Sequence, residues 1–166
     1  MSDTILVAYA TRSGSTQEVA AAIVEALREK GREVDLQPAR EVRALDKYRA
    51  VVLGAPFYMF RWHRDALGFL SRHRRALESR PVAIFALGPT NRDDFGKPEV
   101  SGQLDKALSQ YPWLKPAATA LFGGKWDPQK LTFPYNLIPA LKQMPLSDIR
   151  DWAAIRAWAG DLAAKL

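Results

Sequence analysis

The sequence contains no cysteine at all. This absence excludes disulfides, thiolate nucleophiles and cysteine-ligated zinc or iron–sulfur sites. The two histidines, His63 and His73, lie ten positions apart, and such a pair offers no closed ligand set for a metal ion. We therefore expect any redox chemistry of this protein to come from a bound cofactor.

Two familiar phosphate-binding motifs are missing as well. The chain has no GxxxxGK[ST] segment, and no GxGxxG segment follows any of its strand-like apolar runs. Both motifs work by folding a glycine-rich backbone around phosphate groups. Nucleoside triphosphate hydrolysis and standard NAD binding are therefore poorly supported.

Long apolar runs are also missing from the sequence. None approaches the roughly 20 residues that a membrane-spanning helix needs. The first residues, MSDT, lead directly into an apolar strand pattern without the shape of a signal peptide. We therefore expect a cytoplasmic protein, and a length of 166 residues predicts one domain over residues 1–166.

Negative charge is in short supply. The chain has 24 Lys and Arg against 18 Asp and Glu, a net charge of +6, and residues 61–80 hold six arginines against only Asp65 and Glu78. This excess suits an anionic partner, such as an acidic small molecule or an anionic membrane surface. The alternative is that the arginines lie on solvated faces and serve solubility.

What the sequence does contain is an alternation of apolar runs with amphipathic segments. Strands that are apolar throughout must be covered on both faces, and alternation with helices requires parallel pairing through right-handed crossovers. The pattern therefore predicts an α/β fold with an open, doubly wound, five-stranded parallel sheet that binds ligands at the carboxyl ends of its strands. The predicted strands are 4–9, 33–38, 50–55, 81–88 and 118–124, and the predicted helices are 15–30, 64–78, 100–111 and 152–162, the last capped by Asp151.

The segment 123–146 departs from this alternation. Between the fifth predicted strand and the last helix it carries four prolines and a dense group of apolar side chains. We interpret the segment as an insertion. It is either an irregular loop folded back on the edge of the sheet or a functional loop, because long loops in compact domains are often functional.

The turn after the first predicted strand reads TRSGST, residues 11–16. Backbone amides at a helix N-terminus favour anions, the four hydroxyl side chains add donors, and Gly14 lets the backbone come close to a ligand. The turn therefore predicts a phosphate site. The alternative is plain helix capping, because Ser15 followed by Glu18 matches a capping box.

Two further loops follow predicted strands. APFYMFRWH, residues 55–63, has four aromatic side chains where a turn is usually polar, and such rings at a sheet edge favour a flat apolar partner such as a flavin. The loop that begins at Gly88–Pro89–Thr90 offers backbone groups to the polar edge of the same ring. Trp62 is a candidate neighbour of that ring, and His63 is a candidate for affecting flavin protonation.

The chain resembles the flavodoxin family. TRSGST matches that family's phosphate signature, [ST]x[ST]Gx[ST], at every constrained position, and the aromatic loop falls where the family sandwiches FMN. The segments YRAVVLGAPFYMFRWH and DWAAIRAWAGDLA are similar to the flavodoxin-like group that includes bacterial menaquinone-dependent protoporphyrinogen dehydrogenase, which also carries a long insertion. The basic charge departs from flavodoxins proper, which are strongly acidic.

The resemblance implies a flavodoxin-like, three-layer α/β/α fold with strand order 2-1-3-4-5 and a bound FMN. It implies electron transfer through the flavin, with the protein tuning its potential. The residues implied in FMN binding are Thr11, Arg12, Ser13, Gly14, Ser15, Thr16, Pro56, Phe57, Tyr58, Met59, Phe60, Gly88, Pro89 and Thr90.

Three functions stay open at this point. The first is an FMN-dependent electron carrier or oxidoreductase, the second is menaquinone-dependent protoporphyrinogen IX dehydrogenase of heme biosynthesis, and the third is a flavin-free module that binds partners through its basic face. The expected partners are a redox protein, a quinone or an acidic small molecule, with no specific nucleic acid. Residues 124–146 are the candidate for peripheral contact with the inner face of a membrane.

Overall fold

The structure is a computed structural model that describes residues 2–58 and 61–166. The strands are β1 (Ile5–Tyr9), β2 (Val34–Pro38), β3 (Ala50–Tyr58), β4 (Arg61–Trp62), β5 (Val82–Leu87), β6 (Ala118–Phe122), β7 (Lys125–Trp126) and β8 (Ser147–Asp148). The α-helices are α1 (Ser15–Glu29), α2 (Arg64–Arg72), α3 (Arg74–Glu78), α4 (Arg92–Phe95), α5 (Pro98–Ser101), α6 (Gln103–Leu108), α7 (Pro139–Lys142) and α8 (Trp152–Leu162). Short 3-10 helices cover Ala39–Glu41, Pro128–Lys130 and Tyr135–Leu137.

The central sheet has the order β2-β1-β3-β5-β6, and all neighbours along this path are parallel. The fourth and fifth predicted strands are β5 and β6, so the predicted five-stranded order 2-1-3-4-5 is confirmed. Val7 of β1 is paired with Leu36 on one side and Val52 on the other. The strand order reverses beside β1, so the carboxyl ends of β1 and β3 flank the switch point where such sheets bind ligands.

Helices cover both faces of the sheet, because successive side chains of each strand point to opposite sides. Ile5 and Val7 of β1 are buried with the apolar sides of α1 and α8. Leu6 and Ala8 are buried with residues of α2, α3 and α6 on the other face. The predicted three-layer α/β/α architecture, typical of flavodoxin-like folds, is therefore confirmed.

The described residues of the aromatic segment 55–63 include two paired strands where the sequence predicts a loop. β3 continues to Tyr58 and pairs antiparallel with β4, with Phe57 opposite Trp62. Trp62 is buried, and its ring N–H donates to the Ala55 carbonyl oxygen at 2.9 Å. This anchor explains the difference, because a buried, hydrogen-bonded indole holds the returning chain against β3. Met59 and Phe60, both predicted cofactor contacts, lie outside the described residues.

Two predicted helices are each divided into shorter ones. Residues 64–78 form α2 and α3, which meet at His73, whose ring is buried with Nε2 3.2 Å from the Val42 carbonyl oxygen. That contact anchors the chain at the break. Residues 100–108 of the predicted helix 100–111 lie in α5 and α6, which meet at Gly102, a residue type that weakens helix interiors. Residues 109–111 follow the end of α6.

Residues 123–146, the predicted insertion, connect β6 to α8 and are called the insertion segment below. Its two ends are tied together, because β7 pairs antiparallel with β8, with Lys125 opposite Asp148. Several large apolar side chains of the segment are exposed: Phe133, Leu137, Ile138, Met144 and Leu146. Within the described part of the chain, no helix has the length and apolarity to cross a membrane.

Candidate functional site

The predicted phosphate turn joins β1 to α1. Gly14 precedes the helix with φ 94° and ψ −10°, in the left-handed region that favours glycine, and a Cβ at this position would meet open space within 4 Å. The Gly14 N–H donates to the Thr11 hydroxyl at 2.9 Å, which holds the turn closed on itself. The turn thus brings backbone, rather than side chains, to the helix start.

The first turn of α1 has backbone N–H donors that no acceptor within the helix uses. No side chain among the described residues caps this helix end, and the first helical backbone bond runs from the Glu18 N–H to the Gly14 carbonyl oxygen at 3.2 Å. The N–H groups of residues 15–17 therefore lack an intrahelical partner. Thr16 is 0% exposed, and its hydroxyl has no hydrogen-bond partner among the described residues.

The capping-box interpretation of this turn is wrong. Ser15 is the first helical residue and not the cap. The Glu18 carboxylate instead faces the Arg150 guanidinium, 3.6 Å away. The hydroxyl-rich turn therefore needs another explanation, and a helix N-terminus with free amides is a natural anion site.

A cleft lies at the carboxyl ends of β1, β3 and β5. It brings together predicted site residues that are far apart in the chain: Arg12, Ser13, Ser15, Pro56, Phe57, Tyr58, Gly88 and Thr90. Leu87 at the end of β5 adds an apolar patch. Four predicted residues, Thr11, Gly14, Thr16 and Pro89, belong to the same loops without lining the cleft.

The opposite wall of the cleft comes from the insertion segment, which the sequence did not single out as part of the site. The wall residues are Gly124, Lys125, Trp126, Asp127, Lys130, Leu131, Thr132 and Tyr135. A signal was available, because a segment that follows a parallel strand starts at the same sheet edge as the other ligand loops.

Arg12 lies at the meeting point of the two walls. Its guanidinium carbon is 4.1 Å from the ring centre of Tyr58 and 5.1 Å from that of Tyr135. The two tyrosine rings pack edge to face with their centres 5.2 Å apart. Such cation–π and aromatic contacts hold the insertion segment against the end of β3.

The hydroxyl of Tyr58 stays protonated at neutral pH. Burial raises its pKa above the usual value of 10.0, the neighbouring Tyr135 raises it further, and the charge of Arg12 acts in the opposite direction. Tyr58 therefore offers the cleft a flat ring with an intact O–H donor.

His63 has a structural role beside the cleft. Its Nδ1 accepts a hydrogen bond from the Asp65 N–H at 3.0 Å and so caps α2. Burial lowers the pKa of His63 below 6.5, helped by the charges of Arg12, Arg64 and Arg40 and opposed by Asp65. His63 is therefore neutral at physiological pH.

Several of the six arginines of residues 61–80 form contacts within the protein. Arg72 donates to the Ala39 carbonyl oxygen at 3.1 Å, and Arg80 donates to the Tyr48 carbonyl oxygen at 2.6 Å. Arg74 pairs with Glu78 at 3.0 Å. Part of the basic charge thus serves the fold.

Metal chemistry gains no support from residues 2–58 and 61–166. No group of three or more histidine, aspartate or glutamate side chains in these ranges is arranged to hold a metal ion. The cleft lining offers hydroxyl, aromatic and lysine side chains with Asp127 as its carboxylate. This set suits an organic anion better than a cation.

A family model described as a flavodoxin domain matches residues 6–138. The chain belongs to the flavodoxin domain family. The match runs from β1 across the phosphate turn and the end of β3 into the insertion segment, so it includes both walls of the cleft.

Curated relatives of this flavodoxin-domain protein share less than a quarter of their aligned residues with it. Protoporphyrinogen IX dehydrogenase [quinone] of Escherichia coli strain K12 is 22% identical over 169 residues, which is 95% of this chain and 93% of that one. The protein of the same name from Leishmania major is 24% identical over 172 residues, covering 96% of this chain and 74% of that one.

Solved structures support the same fold. The flavodoxin of Streptococcus pneumoniae TIGR4 superposes with a TM-score of 0.60 at 15% identity, covering 98% of this chain and 99% of that one. A flavodoxin from the domain Archaea gives a TM-score of 0.60 at 14% identity, covering 98% and 97%. At such identities the likeness concerns the fold alone.

Proposed function

We propose that this chain acts as one flavodoxin-like domain that binds FMN and carries out electron transfer as an oxidoreductase. The observation that carries the proposal is the first turn of α1. It combines free backbone amides with the Thr16 hydroxyl, which is 0% exposed and lacks a partner among the described residues. A buried polar group without a partner costs about 1–3 kcal/mol, and the FMN phosphate supplies acceptors at such a place.

The FMN ring fits the remainder of the cleft. Tyr58 and Phe57 at the end of β3 offer flat apolar surface, and Gly88 and Thr90 line the cleft beside them. The Gly88 N–H and the Thr90 carbonyl oxygen are already bonded within the protein, so the polar edge of the ring is proposed to meet the Gly88 carbonyl oxygen and the Thr90 N–H. Leu87 and Tyr135 line the same cleft and add apolar surface. Bound flavin supplies one- or two-electron transfer, and the protein residues bind, orient and shield it.

Hydrogen bonds of Thr11, Gly14 and Pro89 hold the loops of this site in place. Thr11 and Gly14 are hydrogen-bonded to each other within the phosphate turn. The Pro89 carbonyl oxygen accepts from the Gly124 N–H at 2.9 Å. The loop after β5 that begins at residues 88–90, called the third loop below, is therefore fixed to the start of the insertion segment. These residues keep the proposed contacts in register.

The experiment that tests FMN binding is the absorbance spectrum of the purified protein with added FMN. We expect bound, yellow flavin in the wild-type protein and much weaker binding when Thr11, Ser13 and Thr16 are changed to alanine together. Thr119→Ala, an exposed threonine of β6, is the matched control. Equal FMN binding by the triple variant and the wild type would show that the turn does not bind the FMN phosphate.

A second candidate is menaquinone-dependent protoporphyrinogen IX dehydrogenase. It is favoured by the coverage of the Escherichia coli relative, which extends over 95% of this chain, and by the lysines Lys125 and Lys130 in the wall of the cleft. Lysine side chains there suit a substrate with carboxylates.

Turnover of protoporphyrinogen with a menaquinone analogue tests this candidate. We expect turnover by the FMN-loaded protein and its loss when residues 127–146 are replaced by a short turn that joins β7 to β8. FMN binding without any turnover would leave an electron carrier with another partner, such as a redox protein.

We also propose that the insertion segment contacts an anionic membrane surface from the cytoplasmic side. Phe133, Leu137 and Leu146 are 76%, 66% and 63% exposed. Residues 128–147 contain Lys130 and Lys142 and no acidic residue. Exposed apolar side chains flanked by lysines suit the interface of a bilayer with anionic lipids, where a quinone also resides.

Flotation with vesicles tests this contact. We expect association with vesicles that contain phosphatidylglycerol, weaker association at high salt, and none after Phe133→Ser, Leu137→Ser and Leu146→Ser are combined. Equal flotation of this triple variant and the wild type would exclude the insertion segment as the contact.

The flavin-free alternative uses the same basic charge in another way. A net charge of +6 alone favours any anionic partner, including nucleic acid. Colourless protein that does not take up FMN and binds nucleic acid in a salt-sensitive way would favour this alternative over the flavin proposal.

A further inference from the structure

Arg150 is a buried cation next to the phosphate turn. Its side chain is 3% exposed. It forms a bidentate pair with Asp148, with Nε 2.9 Å from Oδ1 and Nη2 2.8 Å from Oδ2. Its guanidinium carbon lies 4.7 Å from the ring centre of Trp152. These bonds lower the pKa of Asp148, so the pair is ionised at neutral pH.

The same guanidinium reaches the first turn of α1. Nη1 donates to the Ser15 carbonyl oxygen at 3.1 Å and lies 3.6 Å from the Glu18 carboxylate. Ser15 opens the helix whose free amides and Thr16 hydroxyl form the proposed phosphate site. Arg150 is therefore in contact with the backbone of that site, although 135 positions separate it from Ser15.

Asp148, the other partner of Arg150, lies at the base of the insertion segment. This base is the paired strands β7 and β8, called the root below. Asp148 belongs to β8, and the next residue, Ile149, donates its N–H to the Gly124 carbonyl oxygen at 3.1 Å. Ser147 of β8 donates its hydroxyl to the Thr90 carbonyl oxygen. The root is thus bonded to the third loop on one side and, through Arg150, to the phosphate turn on the other.

Arg150 does not act on the phosphate as a free cation. Two carboxylates, Asp148 and Glu18, already lie beside it, and its Nε, Nη1 and Nη2 groups all donate within the protein. What the side chain provides is a rigid, planar connection between two elements. Only arginine offers donors in a fixed fork of this kind.

We propose that Arg150 is a positioning residue that couples phosphate binding at the first turn of α1 to the order of the insertion segment. This inference rests on the proposed FMN site. When the phosphate fixes the turn, the Ser15 carbonyl oxygen fixes Arg150, and Arg150 fixes Asp148 and the β7–β8 root. The wall of the cleft that comes from the insertion segment is thereby held closed over the cofactor.

The first test compares FMN with riboflavin, which has the same ring and no phosphate. Arg150→Lys keeps the positive charge and loses the bidentate fork. We expect its affinity for FMN, measured by quenching of flavin fluorescence, to fall about tenfold, while its affinity for riboflavin changes less than about twofold. Arg156→Lys, an exposed arginine of α8, is the matched control and should bind both as the wild type does.

The second test is amide hydrogen exchange of residues 124–148. In the wild type we expect saturating FMN to slow exchange in this segment more than saturating riboflavin does. In Arg150→Lys the two ligands should protect the segment equally. If this variant does not fold, the wild-type measurement still tests the inference, because equal protection of residues 124–148 by FMN and riboflavin would overturn it.

Equal losses of FMN and riboflavin affinity in Arg150→Lys would overturn the inference, because they would show that Arg150 only supports the fold. Equal protection of residues 124–148 by FMN and riboflavin in the wild type would overturn it too. Wild-type protein that binds no FMN overturns the proposed function itself. Wild-type protein that binds FMN, with an unaffected Arg150→Lys variant, overturns the coupling alone.

Discussion

At the scale of the residue, the phosphate turn separates side chains that hold the turn from side chains that are free for a ligand. Thr11 and Gly14 are bonded to each other, and Arg12 lies over two tyrosine rings. Thr16 is the one whose buried hydroxyl has no partner among the described residues. A buried polar group without a partner costs stability, and this supports the proposed phosphate site at the turn.

Thr16→Val separates stability from binding. Valine keeps the shape of threonine and removes the unpaired hydroxyl, so we expect the free energy of unfolding without FMN to stay the same or to rise by up to about 1 kcal/mol. FMN affinity should fall about tenfold. Urea unfolding and flavin fluorescence measure the two effects, and a less stable variant with normal FMN affinity would contradict the prediction.

We expect the stability of the fold to depend on pH, because the pKa values of both histidines are lowered in the folded protein. Burial is the first cause that lowers the pKa of both His63 and His73 below 6.5. The unfolded chain therefore binds more protons than the folded one just below this pH, and stability falls as pH falls below about 6.5. The stability that the two neutral histidines contribute is fully present above about pH 6.5.

His63→Asn tests the part that belongs to His63. Asparagine keeps a side-chain acceptor for the Asp65 N–H and does not titrate. We expect urea unfolding between about pH 7 and pH 5 to show a smaller loss of stability in this variant than in the wild type. Parallel pH profiles of the two proteins would contradict the prediction.

At the scale of the element, the β7–β8 root decides where the insertion segment goes. Close backbone packing holds it, since a Cβ on Gly124 would lie 2.6 Å from the Gly88 carbonyl oxygen, and one on Gly123 would lie 2.6 Å from the Ile149 carbonyl oxygen. These contacts bring the root against the third loop. The exposed apolar side chains of the segment are thereby carried on a fixed base.

Gly124→Ala is predicted to disturb that base. Because the new methyl group meets backbone, we expect a loss of about 1–3 kcal/mol in the free energy of unfolding and weaker FMN binding. Gly102→Ala is the matched control, since a Cβ there meets nothing within 4 Å and φ is −89°. If both variants unfold at the same urea concentration as the wild type, the root is not tightly packed.

At the scale of the whole molecule, the cleft is a junction of distant parts of the chain. Residues of the turn after β1, the end of β3, the loop after β5 and the insertion segment all line it. A ligand that fills such a junction adds contacts between elements that the sheet, backbone bonds such as Gly124 N–H to the Pro89 carbonyl oxygen, and the side chains of Arg12 and Arg150 already join. Binding must therefore stabilise the fold as a whole.

We expect FMN at a concentration about 100 times its dissociation constant to raise the free energy of unfolding by about 2.7 kcal/mol. Riboflavin at the same concentration should give a smaller increase, because it lacks the phosphate that the first turn of α1 is proposed to bind. Urea unfolding with each ligand measures the difference. Equal unfolding midpoints with FMN and without it would contradict FMN binding.

Most of the fold was predictable from the sequence, while half of the cleft was not. The five apolar runs specify buried parallel strands, and TRSGST specifies a polar turn at the start of a helix. The pairing of β4 with β3 was missed, because the sequence pattern of 55–63 indicates a loop and gives no sign that the Trp62 indole is buried and bonded to Ala55. The cofactor contacts proposed for Met59 and Phe60 remain predictions, since both lie outside the described residues.

The sequence by itself determined the layers and the polar turn at the start of α1, since these follow from periodicity and local backbone chemistry. The strand order was what its family resemblance implied. Only the tertiary structure decided what surrounds that turn. The contacts of Arg12 with Tyr135, and of Arg150 with Ser15 and Asp148, join residues that no local pattern relates. They exist because parallel strands bring their carboxyl ends to one edge of the sheet, whatever the distance along the chain.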